Sequence, residues 1–189
     1  SRLVGSEMCI RDRCDFGQKA IPFELKSTGN KILSLDDIKG ENGTLIMFIC
    51  NHCPYVKAVT KEIVEDCNEL KKIGINSVAI CANDAENYPE DSFENMIKFS
   101  KDNNFNFPYL NDETQNIAKS YDAVCTPDFF GYNKNLELQY RGRLRELRNL
   151  IPVKEGESDL LKAMKQIAET GVGPKNQIPS AGCSIKWKT

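Results

Sequence analysis

Apolar and polar positions follow two alternating periods along the chain. Thr44 to Ile49 is a nearly continuous apolar run of strand length, the pattern of a central strand covered on both faces. From Pro54 the period becomes helical. Val56, Val59, Ile63, Cys67 and Leu70 recur at three- and four-residue spacing, charged residues fill the other face, and Gly74 stands where a helix terminator belongs. Ile75 to Cys81 reads as a second buried strand, so the two strands and the helix between them predict a right-handed β-α-β unit.

Shorter patterns flank this unit. Residues 21–38 predict a hairpin that turns at Thr28-Gly29-Asn30, and Gly40 to Gly43 predict a loop. A helix carries Phe93, Met96, Ile97 and Ser100 on one face, and Phe107 to Leu110 is a short extended segment. Asp112 and Gln115 form a capping-box pattern before Ile117, Ala118 and Tyr121. Asp128 to Tyr132 and Leu136 to Arg141, joined by Asn133-Lys134-Asn135, predict an antiparallel hairpin. Ser158 caps a last amphipathic helix ended by Gly171, and Val172 to Thr189 reads as an extended tail.

With 189 residues and 40% hydrophobic content, the chain supports one sizeable core. The expected organisation is a foreign segment at 1–13, which resembles a translated adapter run and implies a missing true N-terminus, then a domain over 14–171 and a tail over 172–189. A formal net charge of −2, with basic residues dispersed, argues against nucleic acid or an anionic membrane as partner. The longest apolar run is far short of the roughly 20 residues that span a bilayer. With no signal-peptide pattern at the start, a cytoplasmic location is the default expectation.

Of the eight cysteines, Cys9 and Cys14 fall in or beside the doubtful opening, and the remaining six lack the spacing of a disulfide-stapled secreted domain. Cys50 and Cys53 carry the chemistry. They stand at a strand-to-helix junction in Phe48-Ile49-Cys50-Asn51-His52-Cys53-Pro54. Disulfide exchange needs a thiolate nucleophile and a second thiol within reach. A helix N-terminus stabilises the first, and a three-residue offset supplies the second. The expectation is that Cys50 attacks and Cys53 resolves. His52, the single histidine of the chain, lies between them, where a cationic imidazole would stabilise the Cys50 thiolate.

Far downstream, Cys125-Thr126-Pro127-Asp128 precedes the second hairpin. A Cys-x-x-Cys after a central strand, followed by Thr-Pro, a hairpin and a final helix, resembles the thioredoxin fold. The resemblance implies an α/β architecture: a central mixed β-sheet flanked by helices, here with an N-terminal β-hairpin extension and an extended C-terminal tail. It also implies that Pro127 is cis and packs against the dithiol, with the Thr126 backbone offering hydrogen bonds to an extended substrate. More narrowly, several stretches resemble redoxins of the alkyl hydroperoxide reductase/thiol-specific antioxidant (AhpC/TSA) superfamily. They are Asn51 to Lys57, Ala82-Asn83-Asp84, Phe107 to Glu113, Cys125 to Phe130, Tyr140 to Leu144 and Pro179 to Trp187. The similarity spans about residues 15–189. One departure stands out. Against the Pro-x-x-x-Thr-x-x-Cys pattern of peroxiredoxins, with Cys53 as the peroxidatic position, Ile46 replaces Pro and Cys50 replaces Thr.

These features make a thiol–disulfide oxidoreductase the leading expectation. Its partners would be protein or small-molecule disulfides and a dithiol reductant, and it would need no bound cofactor. A thiol peroxidase acting on peroxides through a sulfenic acid is the alternative. A metal-binding module built from Cys50, His52, Cys53 and Cys125 or Cys183 is a third reading, disfavoured because zinc sites usually bring two separated ligand pairs. Cys67 and Cys81 read as core residues, whereas Cys125, beside the Thr-Pro step, and Cys183, in the tail, are candidate additional redox thiols. Arg141 and Arg143 read as solvated strand-edge charges, and Asn83 and Asp84 as turn formers.

Overall fold

The computed structural model describes residues 16–189. The expectations for residues 1–13, Cys9 and Cys14 lie outside the described residues. In chain order the elements are β1 (Glu24–Ser27), β2 (Ile32–Ser34), α1 (Leu35–Ile38), β3 (Gly43–Phe48), α2 (Pro54–Lys72), β4 (Ile75–Cys81), α3 (Phe93–Asp102), β5 (Tyr109–Asn111) and α4 (Asn116–Ser120). They continue with β6 (Cys125–Thr126), β7 (Asp128–Asn133), β8 (Leu138–Gly142), β9 (Leu147–Arg148), β10 (Ile151–Pro152), α5 (Asp159–Thr170) and β11 (Cys183–Ser184).

Seven strands form one mixed sheet in the order β2-β1-β5-β4-β3-β7-β8. β3 runs parallel to β4 through the crossover helix α2, while β7 lies antiparallel on its other side. Alternation along β3 feeds two cores. Leu45 and Met47 join Val56, Val59, Ile63, Leu160, Met164 and Ile167 beneath α2 and α5. Ile46 and Phe48 join Val78, Ile80, Phe130, Tyr132 and Tyr121 on the opposite face. Each fully buried aliphatic side chain contributes roughly 1.5–3 kcal/mol, which is why the all-buried β3 can carry a functional loop at its end.

Helix α2 begins with Pro54 in its first turn, where a missing N–H costs nothing, and ends on Lys71 and Lys72, which suit the negative end of its dipole. Gly74 follows at φ +82°, and a Cβ there would lie 2.4 Å from the Asn42 Nδ2 that donates to the Ile73 carbonyl. At the other end of the sheet, Phe48 pairs with Asp128 in register. The segment just after β3 therefore lies beside the Thr126–Pro127 peptide, which is cis.

That loop is clamped by a buried ion pair. Arg141 on β8 donates from Nε to Asp128 Oδ1 (3.2 Å) and from Nη2 to Asp128 Oδ2 (2.8 Å), and also to the Asp122 carbonyl (2.9 Å). Its guanidinium lies 4.4 Å from the Phe130 ring centre, and Asp128 Oδ2 accepts from the Val124 amide. The expectation of a solvated Arg141 is thus overturned, because its guanidinium is enclosed by Asp128, the Asp122 carbonyl and Phe130, while residues 172–178 cover the β8 edge itself, with Gln177 Oε1 accepting the Arg141 amide. Arg143, half-exposed, pairs with Asp159 at 2.7 Å.

Four further local expectations differ. The hairpin of residues 21–38 ends in α1, because Ser34 and Asp37 close a reciprocal capping box. No such box forms between Asp112 and Gln115. Asp112 accepts from the Ala118 amide while Gln115, at φ +68°, turns its side chain to other partners. A small ribbon of β9 and β10 occupies residues that carried no strand pattern. The tail is packed rather than merely extended, with Cys183 and Ile185 buried.

Two stability predictions follow from these packed polar groups. Arg141→Ala, which strands Asp128 as an unpaired buried charge, should cost about 3–5 kcal/mol in denaturant unfolding. Asp66, on α2, accepts from the Ser158 hydroxyl at 2.6 Å, and burial pushes its carboxyl up from 3.8 to about 6. The folded chain then holds a proton that the unfolded chain releases, so this group favours folding most below pH 4 and loses that contribution as pH rises to 6. Asp66→Asn should remove a decline on the order of 1–2 kcal/mol across that window, read from unfolding midpoints against pH.

Candidate functional site

Three thiols meet at the C-terminal end of β3. Cys53, not Cys50, is the N-cap of α2. Cys50 lies three residues earlier, in the loop that leaves the strand, so the expectation that the first cysteine heads the helix is corrected. The physical reason is Pro54. A helix accepts proline readily in its first turn, and proline biases the residue before it toward extended backbone, as Cys53 shows at φ −70° and ψ 126°.

Cys53 Sγ lies 2.8 Å from Cys183 Sγ and 3.3 Å from the Thr126 carbonyl oxygen. Cys50 Sγ lies 3.5 Å from the Thr126 hydroxyl and is also hydrogen-bonded to Cys53. As a thiol, Cys53 donates to the Thr126 carbonyl. As a thiolate it accepts from Cys183 and Cys50, and these two hydrogen bonds, outweighing desolvation, hold its pKa far below the ordinary thiol value. The same bonds push Cys50 and Cys183 up, and burial adds to both. Negative charge therefore concentrates on Cys53, the sulfur nearest the open N-terminus of α2.

His52 Nδ1 lies 2.8 Å from Asp91 Oδ2, and its ring stacks on Tyr88 with centroids 6.2 Å apart. Asp91 is buried. It also accepts from the Asn51 amide (2.8 Å) and from Asn83 Nδ2 (2.9 Å). Asn51 is fixed in turn by the Tyr109 hydroxyl (2.7 Å) and the Glu90 carbonyl (3.0 Å). The expected cation beside Cys50 is thus matched by a carboxylate, which itself raises Cys50 further. Donor atoms of Cys50, His52 and Asp91 lie within 4.8 Å of one another. This set differs from the metal-ligand set expected from the sequence, since Asp91 replaces Cys53 and Cys125 or Cys183.

Thr126 sits against both thiols, and a cleft of about 390 Å³ lined by Tyr55, Val59, Pro127, Phe129, Leu144 and Leu147 opens beside the Thr126–Pro127 step. Cys125 shares the loop, but its sulfur is directed to the Pro127 carbonyl, 3.7 Å away. Cys67 and Cys81 are fully buried and pushed up to about 12 by desolvation, which makes them inert packing residues. Asn83 and Gln115 hold the tail. Asn83 Oδ1 accepts the Lys186 amide, while Gln115 donates to the Lys186 carbonyl and accepts the Lys188 amide. The Asp91 hub and these docking contacts were missed in the sequence, although the tail motif around Cys183 had been singled out.

Comparison with known proteins agrees with this geometry. A structure from Geobacillus kaustophilus, described as an uncharacterized conserved protein, is 44% identical over 97% of this chain and 95% of its own, with a TM-score of 0.87. A hypothetical protein from Sinorhizobium meliloti is 31% identical over 98% and 99%, also at 0.87. The thioredoxin domain of a thiol-disulfide oxidoreductase from Bacteroides vulgatus shares the fold at 16% identity, covering 72% of this chain and 91% of its own with a TM-score of 0.58. No curated protein sequence matches the chain. Among the described residues no helix is long and apolar enough to cross a membrane. The AhpC/TSA family model matches residues 16–146, and with its mixed sheet, helical layers and strand-end thiols the chain belongs to the AhpC/TSA family as a thioredoxin-like redoxin.

Proposed function

We propose that the protein is a thiol–disulfide oxidoreductase in which Cys53 attacks and Cys50 resolves. The observation that carries this reading is the placement of Cys53 at the N-terminus of α2, hydrogen-bonded to Cys50 and flanked by Thr126 and Pro127. The roles are the reverse of those expected from the order of the two cysteines. They follow from which sulfur faces the helix dipole.

The Cys53 thiolate attacks one sulfur of a substrate disulfide, and the other sulfur departs as a thiolate that takes a proton from Cys50. The Cys50 thiolate then attacks Cys53 Sγ, leaving a Cys50–Cys53 disulfide and releasing the second substrate sulfur as a thiolate that takes its proton from solvent. A dithiol reductant returns the pair to thiols. Its hydrogen bond to the Cys53 sulfur, then burial and the neighbouring Asp91, keep Cys50 protonated until the first substrate sulfur departs, so the order of attack is set before substrate arrives. Thr126 positions both sulfurs, and the cleft beside Pro127 accepts an apolar side chain of the substrate. Peroxide chemistry is the competing reading, favoured by Cys53 occupying the peroxidatic position. It is weakened because Cys50 stands where the activating threonine hydroxyl belongs.

Three measurements test this reading. In stopped-flow mixing with a protein disulfide, Cys53→Ser should abolish exchange, and the double variant Cys50→Ser/Cys183→Ser, which lacks both neighbouring thiols, should accumulate a trapped mixed disulfide. Reduced wild-type protein should consume peroxide only slowly; fast peroxide turnover surviving Cys50→Ser would favour the peroxidase instead. Ultraviolet absorbance of the thiolate should persist below about pH 6 in the reduced protein, whereas an ordinary thiol is protonated there, and it should vanish in Cys53→Ser.

A further inference from the structure

Residues 180–188 cross directly over the site. Strand β11 pairs antiparallel with β6, Cys183 opposite Thr126 and Ser184 opposite Cys125, and the Ile185 amide donates to the Val124 carbonyl (3.1 Å). The Ser180 hydroxyl donates to the Pro127 carbonyl at 2.7 Å. Gly182 makes the closest approach, since a Cβ there would lie 2.3 Å from the Thr126 carbonyl oxygen. Further along, the Asp84 amide donates to the Lys186 carbonyl, and Asn83 and Gln115 grip the backbone on either side. With the tail seated, Cys50 and Cys53 are each only 1% exposed.

The backbone edge that β11 covers is the one an extended substrate would use for strand pairing. Cys183 lies on it at the residue facing Thr126, with its sulfur 2.8 Å from Cys53. A disulfide measures about 2.05 Å, so bond formation needs a shift of less than about 1 Å. The tail thus has the form of a tethered substrate: an extended strand that brings a cysteine to the attacking sulfur.

We propose that Cys183 is a third redox thiol, that the seated tail carries a Cys53–Cys183 disulfide in the oxidised protein, and that this bond latches the site shut. The inference rests on Cys53 being the attacking thiol. In the step, the Cys50–Cys53 disulfide left by substrate reduction is attacked at Cys53 Sγ by Cys183, whose proton passes to the departing Cys50 sulfur. The Cys53–Cys183 bond forms, the Cys50–Cys53 bond breaks, and Cys50 returns to a thiol. One disulfide is exchanged for another, so the two-electron oxidation taken from the substrate disulfide is kept and no further oxidant is needed. A dithiol that reduces the latch frees the tail, and the next substrate strand, an extended peptide segment bearing an oxidised cysteine, displaces β11 from β6.

The test is peptide mapping by mass spectrometry under non-reducing conditions, after the full chain has been oxidised with diamide and its remaining thiols alkylated. The expected product is a Cys53–Cys183 cross-linked peptide in wild type and in Cys50→Ser, replaced by Cys50–Cys53 in Cys183→Ser. Gly182→Ala, which keeps every thiol but drives a methyl into the Thr126 carbonyl, should shift the cross-link toward Cys50–Cys53. It should also speed alkylation of reduced Cys53 about tenfold, the factor that 1.4 kcal/mol of lost tail docking gives. A wild-type protein holding only Cys50–Cys53, with Cys50→Ser left without any disulfide, overturns the latch while leaving the oxidoreductase reading intact. Disulfide exchange surviving in Cys53→Ser overturns both.

Discussion

The Asp128–Arg141 pair is the constraint on which the site depends. Its two hydrogen bonds, with those to the Asp122 carbonyl and the Val124 amide, tie together the chain on both sides of the Thr126–Pro127 peptide. Removing a charged pair from water is expensive, and a pair this buried is tolerable because its hydrogen-bonding capacity is well used and the guanidinium also rests on Phe130. What results is a rigid loop at the end of a rigid sheet. Thr126 then presents three things at once: a carbonyl to Cys53, a hydroxyl to Cys50 and a strand edge to β11.

Electrostatics at the thiols follows from that rigidity. Three sulfurs in a short chain cannot all ionise, and the middle one gains two donors where each flanking one gains one acceptor. The buried Asp91 biases the outcome further by disfavouring charge on Cys50. His52, which looks from its place between the cysteines like their activator, spends its ring nitrogen on Asp91 instead. Here one carboxylate, invisible in the motif, reassigns the role of its most conspicuous member.

Much of the architecture was legible because it rests on periodicity. The all-buried β3 and β4, the long amphipathic α2, the β7–β8 hairpin and the Ser158-capped α5 announce themselves through spacing that local physics dictates. Less legible was whatever depends on contact between distant segments. Arg141 looks like an edge charge until Asp128, Asp122 and Phe130 are seen to enclose its guanidinium, and Gln115 looks like a cap until the tail supplies it with partners. That Cys50 and Cys53 stand together beside Thr126 could be read from Cys-x-x-Cys and Thr-Pro alone. Which of them heads the helix could not, because Pro54 sets the helix start three residues later than the first cysteine.

The separation of 130 residues between Cys53 and Cys183 has a consequence for biosynthesis. Domains fold as their segments leave the ribosome, and contacts across long stretches of chain close late because of their loop entropy. Strands β3, β4 and β7, with helix α2, are all made before β11. A nascent chain can therefore assemble the sheet and helix that place Cys53 at the start of α2 while the segment that covers it and donates to its sulfur is still being synthesised. During that interval Cys53 stands uncovered, so maturation ends with the burial of a strand-end thiol rather than with the completion of a core.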